Sequence, residues 1–160
     1  MTDDAVVVRP ARDADRQAVA RLHEAAVRAH GPTAYDDEQV DAWASGKDPA
    51  GYPLEGDGHF LVAVREGTVV GFGHFELDDS AVRAVYVHPD HARTGLGTAI
   101  LERLEARARG AGHQSLRLVA STNAVGFYER RGWEPGPRVE HETSEGVVLE
   151  CREMRKRLDG

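Results

Sequence analysis

Two periodicities divide the chain. Val6-Val7-Val8-Arg9 is a short apolar run stopped by Pro10, and it predicts a strand. From Asp13 to Ala29 the residues Val19, Leu22, Ala26 and Val27 share one face at helical spacing. Asp36 to Ala44 predicts a second, shorter helix, with Val40 and Trp43 three apart. Lys47 to Gly58 is rich in Gly, Pro and Asp and reads as a loop. Phe60 to Arg65 and Val69 to Glu76 are strand-like, and Glu66-Gly67 between them suits a hairpin turn. Asp78-Asp79-Ser80 is another turn, followed by a strand from Ala81 to Val87. Ile100, Leu101, Leu104 and Ala108 form one stripe of the next helix, which Gly110 and Gly112 end. Ser115 to Ala120 predicts a strand, and Asn123 to Arg131 a short helix closed by Gly132. Arg138 to Thr143 and Val147 to Arg155 predict two last strands around the turn Ser144-Glu145-Gly146.

The predicted order is β-α-α-β-β-β-α-β-α-β-β. No repeat or low-complexity segment interrupts it. This is an α/β chain of the α+β kind, a mostly antiparallel sheet with helices on its faces. At 160 residues it suits one domain, 1–160, with one core. Strand, loop, helix and strand over residues 81–120 predict one parallel crossover.

The loop inside that crossover changes the picture most. His91-Ala92-Arg93-Thr94-Gly95-Leu96-Gly97-Thr98 places two glycines where a strand hands over to a helix. Glycine permits positive φ and close approach of a ligand. The helix start adds unpaired N–H groups and a positive dipole end. Together they suit a phosphate or pyrophosphate. A dinucleotide fingerprint needs a third glycine three residues after Gly97, and Ile100 stands there.

The net charge is -7, against broad binding of nucleic acid. Its distribution is uneven. Residues 91–131 carry seven arginines and three acids, so this segment is +4 and the remainder is -11. The basic segment holds the glycine loop. Most of its arginines read as solvated helix faces, with Arg93 as the exception. No apolar run approaches the roughly 20 residues that span a bilayer. The start, Met1-Thr2-Asp3-Asp4, lacks the basic region of a signal peptide. Cys151 is a single cysteine, so no intrachain disulfide forms. These features predict a cytoplasmic protein with no membrane partner.

Two motifs in order resemble the GNAT superfamily of acetyl-CoA-dependent N-acetyltransferases. The run Val85-Tyr86-Val87-His88-Pro89-Asp90-His91, followed by Arg93-Thr94-Gly95-Leu96-Gly97-Thr98, is similar to the family's acyl-CoA signature. Asn123-Ala124-Val125-Gly126-Phe127-Tyr128-Glu129-Arg130-Arg131-Gly132-Trp133 is similar to its second motif. Val8-Arg9-Pro10-Ala11 and Met154-Arg155-Lys156-Arg157-Leu158 also fit, so the likeness covers nearly the whole chain. Tyr35 to Ala44 resembles a branch of small bacterial members with diverse substrates. Ala92 departs from the Gln or Arg that many relatives carry three positions before the first glycine.

The resemblance implies direct attack of an amine on the acetyl thioester, with no metal and no covalent enzyme intermediate. It implies that the backbone of Arg93, Thr94, Gly95, Leu96, Gly97 and Thr98 holds the CoA pyrophosphate. The pantetheine arm would then pair with the strand edge at Val85 and Val87. Asn123 either bonds that arm or only caps its helix. Tyr128 is the expected acid for the leaving thiolate, since a phenol titrates near 10, close to a thiol. Spacing alone reads it as a core aromatic.

The base is less determined. An alkylamine of pKa about 10.4 costs roughly 4.6 kcal/mol to deprotonate at pH 7, and an α-amino group near 7.7 only about 1. Many relatives carry an acid where this chain has Arg83. Glu76 is the substitute, with His74 two positions earlier on the same face. The alternative is a solvated carboxylate at a strand end. Tyr35 and Trp43 are candidate walls for the acceptor, and Asp36, Asp37 and Glu38 candidate attractors of a cation. Cys151 reads as a small buried thiol rather than a nucleophile. His88 and His91 lack the further ligands a zinc site needs.

The expected activity is acetyl transfer to the primary amine of a small molecule. Two alternatives are acetylation of a peptide N-terminus or lysine, and a non-catalytic acyl-CoA sensor. A bulky Lys47–Gly58 loop over the site would argue against a protein acceptor. The resemblance also implies a homodimer as one assembly.

Overall fold

The computed structural model describes residues 5–54 and 59–158. Met1 to Asp4 and the last four residues of the expected Lys47–Gly58 loop lie outside the described residues. The elements follow the predicted order: β1 (Val6–Pro10), α1 (Arg16–His30), α2 (Asp37–Ala44), β2 (Phe60–Arg65), β3 (Thr68–Glu76), β4 (Ala81–Val87), α3 (Leu96–Gly110), β5 (Ser115–Ser121), α4 (Val125–Glu129), β6 (Glu134–Glu142) and β7 (Val148–Arg157). They build one seven-stranded sheet in the order β1-β2-β3-β4-β5-β7-β6. Every neighbouring pair is antiparallel except β4 and β5, which are parallel. None of the described helices is long and apolar enough to cross a membrane.

Four boundaries differ from expectation, each for a local reason. Pro10 continues β1 instead of ending it, because β1 is an edge strand and the missing N–H breaks no ladder. The stretch Asp13–Asp15 is a 3-10 turn before α1. β6 begins at Glu134, not Arg138, and accommodates Pro135 and Pro137 by a register shift on the other edge. α4 is only Val125–Glu129, with Thr122–Ala124 as a 3-10 turn leading in.

Helices cover both sheet faces. On one side Ile100, Leu101, Leu104 and Ala108 of α3 meet Leu61, Phe75, Val82, Leu116, Leu118 and Met154 in the main core. Gly71 and Gly73 make that packing close: a Cβ on Gly73 would stand 2.5 Å from Ile100 Cγ2. On the other side Val19 and Leu22 of α1 pack with Phe60, Val62 and Phe72. α2 closes the far end, where Val40 and Tyr35 meet Leu149 and Cys151. Asp36 caps α2 by accepting from Gln39 N at 2.8 Å. The thiol of Cys151 is buried, as expected.

His23 of α1 sits inside the second cluster. Its ring lies 4.3 Å from Tyr86 and its Nδ1 2.9 Å from the Tyr52 hydroxyl. Burial, aided by the Lys47 charge, pushes its pKa down to about 3. The unfolded chain therefore binds the extra proton between about 6.5 and about 3. The contribution of neutral His23 is complete above pH 6.5 and is lost as pH falls towards 3. Denaturant unfolding across this window should show stability falling by up to about 1.4 kcal/mol per pH unit from this group. His23→Phe should flatten that slope.

Candidate active site

The site begins where the sheet divides. β4 and β5 share one registered pair, Ala81 with Arg117, beside the bond Arg117 N to Ser80 O at 2.9 Å. Beyond that rung the strands diverge. The outer edge of β4 from Val82 to Val87 then has no strand beside it, so its peptide groups are open to a ligand. A cavity of about 530 Å³ fills the fork.

One half of its wall is the glycine loop and α4. Val85, Val87, Arg93, Gly95, Leu96, Gly97, Thr98, Asn123 and Tyr128 all line it. Thr94, next to Arg93, points its hydroxyl back to His91 O at 2.6 Å and fixes the turn. Gly95 has φ +84 and caps α3, and Arg93 takes the uncommon φ +65. No side chain caps α3, so its first N–H groups remain available beside the cavity. Gly97 lies against Phe127: a Cβ there would be 3.1 Å from the ring.

Arg131 locks these pieces together, a role that composition did not show. Its guanidinium stacks 3.8 Å from the Phe127 centroid. Its Nε donates to Thr98 Oγ1 at 2.6 Å and its Nη1 to Phe127 O at 2.7 Å. The Thr98 hydroxyl therefore already serves Arg131, leaving only its backbone open to a ligand. Arg130 also stands in this wall.

Two polar groups here lack partners among the described residues. Asn123 Oδ1 is buried and accepts no hydrogen bond. A buried acceptor of this kind needs a donor from elsewhere. The Tyr128 hydroxyl makes no hydrogen bond among the described residues, although the side chain is only 7% exposed. Its ring is held edge-on by Phe127 at 5.1 Å and Trp133 at 5.8 Å. Burial and the neighbouring Tyr86 push the phenol well above its ordinary range. Tyr128 is therefore neutral and protonated.

The other half of the wall comes from α1 and the turn after it, α2 and β4: Ala26, Val27, His30, Thr33, Trp43, Arg83, Ala84 and Tyr86. Tyr86 is a wall residue that motif reading passed over. Strand alternation was the available signal, since it stands between Val85 and Val87 and faces oppositely. Trp43 interacts with its phenol, and burial pushes Tyr86 up as well.

Three expected residues are elsewhere. Glu76, the expected base, does not line the cavity; its Oε1 accepts from Arg83 Nε at 2.9 Å and Nη2 at 2.6 Å. His74 lies on Phe60, with ring centroids 5.2 Å apart. Tyr35 is a structural clip, donating to Glu150 O at 2.5 Å and accepting from Thr122 N at 2.9 Å. No Asp or Glu lines the cavity among the described residues. Tyr52 and Leu54 of the 47–54 segment pack on the α1 side of the sheet, and that segment does not line the cavity. His91 Nδ1 is 3.0 Å from Arg65 Nη1, so this imidazole already has a protein partner.

This geometry agrees with known proteins. Residues 17–133 match the Acetyltransferase (GNAT) family. An L-amino acid N-acyltransferase of Escherichia coli is 32% identical over 134 residues, 76% of this chain and 74% of that protein. An L-methionine sulfoximine/L-methionine sulfone acetyltransferase of Salmonella typhimurium is 32% identical over 133 residues, 75% of this chain and 74% of that protein. A GCN5-related N-acetyltransferase structure from Rhodopseudomonas palustris superposes with TM-score 0.89 at 30% identity, covering 98% of both chains. A Salmonella typhimurium protein solved with its cofactor acetyl-CoA gives TM-score 0.65 at 25% identity over 98% of this chain and 95% of that one. The family match over residues 17–133 and these relatives place this chain in the GNAT family, as an N-acetyltransferase.

Proposed function

We propose that this protein uses acetyl-CoA to acetylate the primary amine of a small molecule. The observation that carries the cofactor reading is the orphaned Asn123 Oδ1 beside the unpaired β4 edge. An amide-bearing arm laid along that edge supplies both with partners. The peptide groups of Arg93, Thr94, Gly95, Leu96, Gly97 and Thr98 hold the pyrophosphate, with Arg93, Arg130 and the α3 dipole adding positive charge. The bound thioester supplies an activated acetyl group. The cavity volume and the two relatives named for amino-acid substrates support a small acceptor.

Tyr128 supports the departing sulfur. Its raised affinity for the proton makes complete transfer to a thiolate uphill, so it acts first as a hydrogen-bond donor to the charge that develops there. With no carboxylate in the wall among the described residues, the reacting amine is the neutral form and its proton goes to water. For an alkylamine, kcat/KM should then rise about tenfold per pH unit until the acceptor's own pKa. Glu76→Gln should leave the shape of that profile unchanged. A plateau near the carboxylate range that disappears in the variant would restore Glu76 as the base.

The activity is tested by following thiol release with acetyl-CoA against amines, amino acids and peptides. Calorimetry gives CoA affinity independently. Absence of CoA binding would overturn the reading; CoA binding without release from any acceptor would favour a sensor. Faster release from peptides than from small amines would assign a protein acceptor. Asn123→Ala should weaken CoA binding about tenfold, the worth of one hydrogen bond, without lowering the Tm of the ligand-free protein.

A further inference from the structure

Arg83 is the extra residue of a bulge in β4. Phe75 faces Val82 and His74 faces Ala84, so nothing in β3 opposes Arg83. Bulges re-aim side chains, and this one contributes to the cavity wall. The guanidinium is anchored on one side only. Glu76 Oε1 takes Nε and Nη2, and Asp79 Oδ2 takes Nη2 at 2.7 Å. Arg117 Nη2 lies 4.0 Å from the same Asp79 oxygen. Nη1 of Arg83 has no partner among the described residues, and the side chain is 40% exposed.

Arg83 therefore lines the acceptor half of the cavity, where no carboxylate stands among the described residues. A simple alkylamine or polyamine meets no carboxylate there among the described residues. An amine that also carries a carboxylate meets the Arg83 guanidinium. Resting on the acetyltransferase reading above, we propose that Arg83 Nη1 binds the carboxylate of the acceptor, so that the substrate class is free amino acids. Glu76 and Asp79 become positioning residues that hold the fork in register. Because the surrounding acids balance its charge, Arg83 selects by directed hydrogen bonds rather than by long-range attraction.

The test is a set of amino acids, each paired with its primary amide and with the amine lacking the carboxyl group. Acetyl-CoA turnover is followed by thiol release. The wild-type protein should favour the acid over the amide by about 10- to 100-fold in kcat/KM. Arg83→Gln should bring that ratio close to one, mainly through KM for the acids. Calorimetric CoA binding by the variant certifies its fold. Glu76→Gln should raise KM for the acids more than it changes kcat. Amides or plain amines turned over as well as acids by wild type would overturn the inference alone, whatever the variants do. So would an Arg83→Gln ratio equal to wild type. Release from no acceptor at all would overturn the acetyltransferase reading and this inference with it.

Discussion

Tyr128→Phe should lower kcat by about 100-fold or more while CoA affinity stays within about twofold. The substitution keeps the ring that Phe127 and Trp133 hold edge-on. It removes only the hydroxyl, which no described residue uses. Among the described residues nothing in the ligand-free fold therefore depends on that oxygen. The loss should be greatest where departure of sulfur limits the rate, and least for acyl donors with more acidic thiols. Turnover within about threefold of wild type would remove Tyr128 from the chemistry and return it to the core.

Glu105→Ala should destabilise the protein by about 3 to 5 kcal/mol. Glu105 is a carboxylate on α3 with 3% exposure. It accepts from Lys156 Nζ of β7 at 2.9 Å and from Trp133 Nε1 at 3.1 Å. Lys156 also donates to Arg131 O at 2.8 Å. Removing the carboxylate leaves a partly buried ammonium without its counter-ion and an indole N–H without an acceptor. A domain of ordinary stability holds about 5 to 15 kcal/mol in all, so the urea midpoint should drop severely. Trp133 supports Tyr128 and Arg131 supports the α3 turn, so residual activity should fall before global unfolding. A midpoint shift worth less than about 1 kcal/mol would show that solvent replaces the network.

The order of elements was legible because helix and strand periods are local. Ile100, Leu104 and Ala108 cannot face one core on a strand. The glycine turn was legible for a related reason: Gly95 reports a backbone conformation directly, with φ +84. Side-chain destinations were harder. Tyr35 looked like a wall residue, yet its hydroxyl is claimed by Glu150 O, 115 positions away. Glu76 stood in for the acid that many relatives carry where this chain has Arg83, and Arg83 itself takes its carboxylate. The bulge at Arg83 follows from pairing between strands and has no mark in the residue pattern. β6 starts at Glu134, ahead of the expected Arg138, because an edge strand tolerates Pro135 and Pro137.

The single rung between Ala81 and Arg117 has a mechanical consequence. It makes the sheet two panels, β1 to β4 and β5 with β7 and β6, joined at one corner. Through the sheet itself, neither panel can resist opening beyond that corner. α3 resists it by gripping both panels through Ile100, Leu104 and Ala108. A molecule lying along β4 would be a seam stitched into the gap, joined to the fabric on one side and pressed by α4 on the other. Filling the site would then stiffen the whole sheet, and release of product would be the moment of greatest compliance.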